Sequence, residues 1–589
     1  MTQVMKAADV VIIGVGMVGS IIAKELAAAG YKVVGLERGE PRFTVPDFQG
    51  PGVHDELRFD VRKALMQDNT REAVTFRNQV AQTALPIRRW ESFLPGTGLG
   101  GSQVHWNGQT YRFQAQDFAM ASHVRERYGK DFLDPDLRVQ DWGVIYADLE
   151  PHYDRFEYLL GTGGKAGNLK GKIQPGGDPF ESPRSREYPT RPMKEHYSGA
   201  MFRKAANSLG YHPFPQPSSN LSEPYTNPEG LKLNTCVFCG FCERFACEHY
   251  AKAVPQTFIL PVLMKNPNFE LRTGAQVQRI NLDSSKTKAT GVTYIDAAGR
   301  EFEQPAALVI TCSFALNNVR MLLLSGVGKP YDPASGTGVV GRNYAYQTMS
   351  TVASFFDKDV IVNPFMASGA SGTLINDFAG ENFDHSKLGF IGGSFIGAVN
   401  TNGRPINYHP VPPGTQAWGK GWKKAVADHY NHTVMFSIHG SSMAQKQNYL
   451  DLDPTYKDAW GQPLLRMTFD FPKNDLAMAE YVTGKGVEIG KAMGAKQVVG
   501  TPRKGPYTIT QYQTTHNTGG TVMGDDPSTS VVNRYLQVWD VPNVFVVGAS
   551  NFPQNATWNP TDTIGALTYW AIDALKNKYL KNPGRLVSA

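Results

Sequence analysis

The run Asp9-Val-Val-Ile-Ile-Gly14-Val-Gly16-Met-Val-Gly19-Ser-Ile-Ile-Ala-Lys-Glu-Leu-Ala27 limits the fold more than any other stretch of the chain. Its apolar start reads as a short buried strand, its glycines as a tight turn, and its remainder as a helix. Gly14 permits the turn, Gly16 lets backbone approach a pyrophosphate, and Gly19 lets the helix pack on the strand. The positive end of the helix dipole then faces the phosphates. Val33-Val-Gly-Leu-Glu37 follows as a second strand ending in an acid, 18 residues (37 minus 19) beyond the last glycine, where a carboxylate takes ribose hydroxyls. A dinucleotide-binding α/β lobe is therefore expected; the motif does not separate NAD from FAD.

At 589 residues the chain exceeds what one hydrophobic core supports, so more than one lobe is expected. With 41% hydrophobic residues, 59 Gly and 38 Pro, it reads as a large, loop-rich globular enzyme. The formal charge of +6 comes from scattered Lys and Arg without a basic run, which excludes a nucleic-acid patch. Ala8 to Ala23 is broken by Gly14, Gly16 and Gly19 and lacks a small-residue cleavage site, so no signal peptide is expected. The longest apolar stretch, Leu308 to Gly328, is interrupted by Asn317, Asn318 and Arg320, so no membrane span is expected either. The Gly- and Pro-rich stretches Gly161 to Pro192 and Asn400 to Pro413 read as loops.

Cys236, Cys239, Cys242 and Cys247 crowd into one short run, whereas Cys312 lies in the apolar stretch Ala307-Leu-Val-Ile-Thr-Cys312 and reads as a small core residue. Disulfides fit such a run poorly, because cysteines two residues apart strain a bridge. Structural zinc usually joins two Cys-x2-Cys knuckles across a longer loop. The spacing Cys-x2-Cys-x2-Cys-x4-Cys is closer to the ferredoxin run, in which one loop wraps an iron–sulfur cluster. The last gap is one residue longer than in ferredoxins, and Glu248 stands where they carry proline. Zinc stays open as the alternative.

Three further motifs carry a resemblance to a family. Leu94-Pro-Gly96-Thr-Gly98-Leu-Gly100-Gly101-Ser102-Gln-Val-His105-Trp106-Asn107-Gly108 is similar to the glycine-rich signature of the glucose-methanol-choline (GMC) flavin oxidoreductases. The stretch from Ala289 through Ala307-Leu-Val-Ile to Leu324-Ser325-Gly326 resembles that family's flavin-domain hairpin, strand and helix. Val541 to Ser550, with Asn559-Pro560-Thr561-Asp-Thr563-Ile564, resembles its C-terminal flavin segment. Thr311-Cys312-Ser313 departs from the small Ala-Gly pair of many relatives, which implies different packing near the adenine.

The resemblance implies an α/β fold in which a Rossmann-like FAD-binding domain is interleaved with a substrate domain built on an antiparallel sheet. Residues 1–149, 236–345 and 506–589 would belong to the first, with the cysteine loop at 236, and residues 150–235 and 346–505 to the second. FAD would be held by Gly14, Gly16, Gly19, Glu37, Gly100, Gly101, Ser102, Asn107, Gly108, Ala549, Asn559, Pro560 and Thr561. In some relatives a histidine placed like His105, before Trp106, is bonded to the flavin 8α-methyl carbon.

Alcohol oxidation removes a hydroxyl proton as the C–H leaves as hydride, and a neutral histidine suits that task at neutral pH. His516, in Thr514-Thr-His516-Asn-Thr-Gly519-Gly520, matches the family's catalytic histidine, and Asn559 its hydrogen-bonding partner. The other histidines show no metal-ligand spacing; His429 and His432 read as ordinary residues.

Within the family, the resemblance is to a branch of membrane-bound sugar and sugar-acid dehydrogenase large subunits whose cysteine run holds a [3Fe-4S] cluster. Three of the four cysteines would then be ligands. The implied reaction is D-gluconate to 2-keto-D-gluconate, with fructose, sorbitol, 2-ketogluconate or glucose as alternatives, and an alcohol oxidase with a zinc knuckle as the reading of another type. The branch also implies a small partner exported by a twin-arginine signal, a multihaem cytochrome c subunit, and a place on the periplasmic side of the inner membrane, with membrane contact only through partners. A carboxylate substrate would need an Arg or Lys in the pocket.

Overall fold

The computed structural model describes residues 2–49, 65–88, 95–401, 408–510 and 515–588. Leu94 and Thr514, which open two of the motifs, and residues 402–407 of the loop at Asn400 to Pro413 lie outside them.

The apolar start of the chain forms the strand Ala8–Ile13, followed by the helix Met17–Ala28 and the strand Val33–Leu36. These belong to an eight-stranded sheet. Five of its strands run parallel in the order Phe269–Arg272, Val33–Leu36, Ala8–Ile13, Glu301–Thr311 and Val544–Val546. Glu301–Thr311 is long enough to serve twice. Its C-terminal half pairs in parallel inside this layer, and its N-terminal half closes an antiparallel meander with Ala289–Ile295 and Gln276–Leu282. The central strands read as continuous Val, Ile and Leu because both faces are buried, the signature of a parallel layer.

A second, six-stranded sheet is wholly antiparallel, in the order Gln497–Thr501, Thr348–Phe355, Thr433–Gly440, Ser394–Val399, Gly372–Ile375 and Phe214–Pro215. Side chains alternate across it. Val434, Phe436 and Ile438 enter a core with Met478, Val482 and Ile489 of the helix Lys473–Ala492. Ser437 and His439, from the other face of the same strand, line a cleft shared with the first sheet. The Rossmann-like layer and the antiparallel sheet expected from the sequence are thus both present.

The C-terminal helix Thr561–Ala574 returns to the first layer and packs on the helix Tyr146–Leu160. Tyr153 and Thr563 share a hydrogen bond of 2.6 Å there. A buried ion cluster locks this junction: Arg112 grips Glu157 through two hydrogen bonds of 2.9 and 2.8 Å, and Arg184 binds the same carboxylate. The paired guanidinium groups hold Glu157 down to about 2 against the cost of its burial. Among the described residues no helix is long and apolar enough to cross a membrane.

Candidate active site

Ile13 leads straight into the turn. Gly14 has φ +89°, and a Cβ there would lie 3.0 Å from Ser313 Cα and 3.1 Å from the Cys312 carbonyl oxygen. Gly19, in the first helical turn, has still less room, because a Cβ would meet Gly14 O at 2.0 Å and Cys312 Sγ at 3.1 Å. The departure at Cys312 therefore has a packing role: its buried thiol fills the space between turn and helix, with Sγ 3.3 Å from Gly14 O.

Gly16 bridges directly to Gly100, so the second glycine-rich loop lies against the first. Between them opens a cleft of about 390 Å³. Gly14, Gly16, Glu37, Gly101, Ser102 and His105 line it, as do Asn107, Ala549, Asn559, Pro560, Thr561 and His516. Gly19, Gly100 and Gly108 stand behind the wall; a Cβ on Gly108 would strike Asn220 Oδ1 at 2.6 Å.

These residues suit FAD. Glu37 is buried and accepts the Val15 and Gly39 backbone N–H groups at 3.1 and 3.0 Å, which places an acceptor at the end of the second strand. Burial pushes its carboxyl up while those bonds oppose the shift. Two helices, Met17–Ala28 and Thr561–Ala574, begin at the cleft wall with Gly16 and Pro560 as their caps, and both present unpaired N–H groups to an anionic ligand.

His516 lies at the end where the two sheets meet. Its backbone is left-handed, φ +62°, a strained state for a non-glycine residue and a frequent one at functional sites. Asn555 Nδ2 holds its carbonyl at 2.9 Å, and Asn517–Thr518 immediately pair with Ala345–Tyr346. Its Nδ1 is buried and has no hydrogen-bond partner among the described residues. Burial first, and the neighbouring His439 second, hold the imidazole well below its ordinary pKa, so it is neutral at pH 7. Asn559 Nδ2 donates to Gln109 Oε1 at 3.1 Å.

His439 and Gln109 are the residues that motif reading missed. The His439 ring stands 5.4 Å from that of His516 and stacks on Phe395 at 5.0 Å. Burial pushes it down to about 4, opposed by hydrogen bonding to Asn559. The available signal was alternation: Val434, Phe436 and Ile438 mark one strand face as core, which leaves Ser437 and His439 on the other.

The cysteine loop winds tightly through left-handed Phe238, Gly240 and Arg244, with φ +54°, +76° and +67°. All four thiols line one small cavity together with Asn220 and Lys252. Burial pushes the Cys236 thiol up to about 12, and Cys242 and Cys239 add to the rise. Among the described residues no three His, Cys, Asp or Glu side chains are gathered at ligand spacing. The donor set and its common cavity fit a metal centre; the spacing is not closed around one. Glu243, inside the same loop, lines the large cleft, so one loop borders both cavities.

Two cations on the cleft wall are already paired: Arg38 with Glu72 at 3.0 Å, and Arg320 with Asp458 at 2.7 Å. Neither is a spare partner for a substrate carboxylate.

Fold and cleft together define a flavin-dependent oxidoreductase, and the chain belongs to the GMC oxidoreductase family. Residues 189–349 and 444–568 match the two domains of that family, each described as GMC oxidoreductase. The chain is 49% identical over 591 residues to the gluconate 2-dehydrogenase flavoprotein of Pantoea cypripedii, covering 99% of this chain and 96% of the relative. It is 28% identical to 2-methyl-1,2-propanediol dehydrogenase of Mycolicibacterium austroafricanum, over 98% and 97% of the two chains. It is 25% identical to the fructose dehydrogenase large subunit of Gluconobacter japonicus, over 97% and 98%. The fold is shared with the formate oxidase of Aspergillus oryzae RIB40, at TM-score 0.60 and 15% identity over 98% of this chain and 99% of that one.

Proposed function

We propose that the protein is an FAD-dependent dehydrogenase that oxidises a secondary alcohol of a sugar acid, D-gluconate to 2-keto-D-gluconate, and delivers the electrons to a haem-bearing partner. The observation that carries it is the neutral His516, which lines, together with Asn559, a cleft built from both glycine-rich loops. The length and degree of the likeness to the gluconate 2-dehydrogenase flavoprotein support the substrate.

His516 takes the substrate hydroxyl proton, and Asn559, which cannot titrate, holds the oxygen, itself oriented by Gln109. Phe395, stacked on Trp558 at 6.2 Å and on His439 at 5.0 Å, backs the His439 ring that lines the cleft. FAD held in this cleft, with His105 as its point of attachment, would supply the hydride acceptor, and a three-iron cluster held by the cysteine loop would supply one-electron steps. The cysteine loop borders the cleft, which favours a one-electron partner such as a multihaem cytochrome c subunit over oxygen. The small twin-arginine-exported partner, the periplasmic location and the division of the chain at 149/150, 235/236, 345/346 and 505/506 belong to the same reading.

A second reading, a neutral sugar or polyol as substrate, is favoured by the lining around His516: Gln109, Ser437, His439 and Asn517 are neutral, and the lining arginines are paired. Anaerobic bleaching of the flavin by gluconate, fructose, sorbitol and glucose separates the two. Bleaching by gluconate alone supports the first reading; bleaching only by a neutral sugar overturns it. Iron and zinc analysis decides the cysteine site, where zinc in an active protein would defeat the iron–sulfur part.

A further inference from the structure

Lys252 is a charged side chain in an unusual place. Only 1% of its surface is exposed, in the apolar run Ala251-Lys252-Ala253-Val254. Its ammonium donates to three backbone carbonyls, of Trp106 at 2.8 Å, Cys242 at 3.0 Å and Phe245 at 2.7 Å. Three carbonyls satisfy its three protons, so its hydrogen bonding is complete. Its charge is not compensated, since among the described residues no carboxylate lies within ion-pair distance. The donor side chains that line its cavity are the four cysteines, Asn220, Glu248 and His249. It lines the cysteine cavity with Cys236, Cys239, Cys242 and Cys247; burial lowers its pKa, and the four cysteines oppose that shift. A buried cation without a counter-charge costs several kcal/mol. Neutral thiols do not offset that cost, whereas thiolates do.

A second tether runs alongside. Asn220 Nδ2 donates to the Asn107 carbonyl at 2.8 Å and approaches Cys242 Sγ at 3.9 Å. Together Lys252 and Asn220 fasten the backbone of residues 106 and 107, between His105 and Gly108 on the cleft side, to the cysteine loop.

We infer that Lys252 is the built-in counter-cation of an anionic thiolate–metal centre at the cysteine loop, and that it ties this centre to the flavin cleft through the Trp106 carbonyl. The inference rests on the metal reading proposed above. Lys252 is a positioning residue: it holds fixed positive charge where each added electron makes the centre more negative, and so favours the reduced form.

The test uses the full-length holoprotein. Iron content of the wild type is read first, and an iron-free wild type overturns the metal reading and this inference with it. With iron present, Lys252→Met is measured for iron and FAD per chain and for the reduction potential of the iron signal. FAD is expected to stay. Either iron falls below half of the wild-type content, or the one-electron reduction equilibrium becomes at least tenfold less favourable, a drop of about 59 mV. Unchanged iron together with an unchanged potential overturns the inference and leaves the metal reading standing. A thermal measurement covers the case of poor folding. Lys252→Met should lower the melting temperature of the wild type and raise that of a Cys239→Ser, Cys242→Ser protein, where the thiolates that balance the charge have been removed. A loss in both backgrounds would mean that Lys252 only fills space, and would overturn the inference.

Discussion

The His516 end of the cleft and the cysteine cavity are bordered by consecutive residues of the same loop, Cys242 on one side and Glu243 on the other. Their electrostatics are opposite. At His516 burial, and second the neighbouring His439, keep the imidazole neutral, the state that the proposed proton acceptor needs. Beside the cysteines a lysine is caged by carbonyls, and among the described residues no carboxylate stands within ion-pair distance of it. In the proposed function one site receives the hydroxyl proton and the other holds negative charge, a division suited to an alcohol that gives a proton to a base and a hydride, carrying two electrons, to the flavin.

Removing the proposed proton acceptor breaks this comparison most severely. His516→Ala should slow flavin bleaching by substrate by about 10²–10⁴-fold, the usual contribution of a general base. Stopped-flow absorbance under anaerobic conditions measures it, and a loss smaller than tenfold would remove His516 from that role. Cys242→Ser attacks the other site. It should abolish most turnover with a haem acceptor while leaving the bleaching rate near the wild-type value, and parallel loss of both would show that the sites do not divide the work.

A smaller effect is expected one contact further out. Gln109→Leu leaves Asn559 Nδ2 without its acceptor in a buried site, which costs about 1–3 kcal/mol, or about 5–150-fold in kcat/KM. A change confined to KM would assign Gln109 to substrate binding rather than to the orientation of Asn559.

What could be read from the sequence follows from how local each signal is. Gly14 and Gly19 are legible because a turn and a helix contact impose steric rules within a few residues; the cysteine spacing is local too, but among the described residues no three ligand side chains are gathered there. His439 is contributed by a strand nearly eighty residues before His516 in the sequence, and alternation tells which residues share its face but not what that face looks upon. Lys252 is harder still. A lysine is expected at the surface, and only the three carbonyls that fold around it make its burial possible. The expectation of a free Arg or Lys for a substrate carboxylate meets arginines already committed to Glu72 and Asp458.

The mildest test exploits pH. His439 is held at about 4 in the folded protein, against about 6.5 for an unperturbed histidine. Between those values the unfolded chain binds a proton that the folded protein refuses, so stability is full above about pH 6.5 and declines as pH falls toward 4. His516, shifted the same way, adds to the decline. His439→Gln removes one contributor, so its stability relative to the wild type should improve on acidification, by on the order of 2 kcal/mol between pH 7 and pH 5. Denaturant melts of both proteins at the two pH values measure this directly. An identical pH dependence would mean that His439 is not kept neutral by its surroundings, and the electrostatic contrast with the lysine-bearing cavity would lose one of its two histidines.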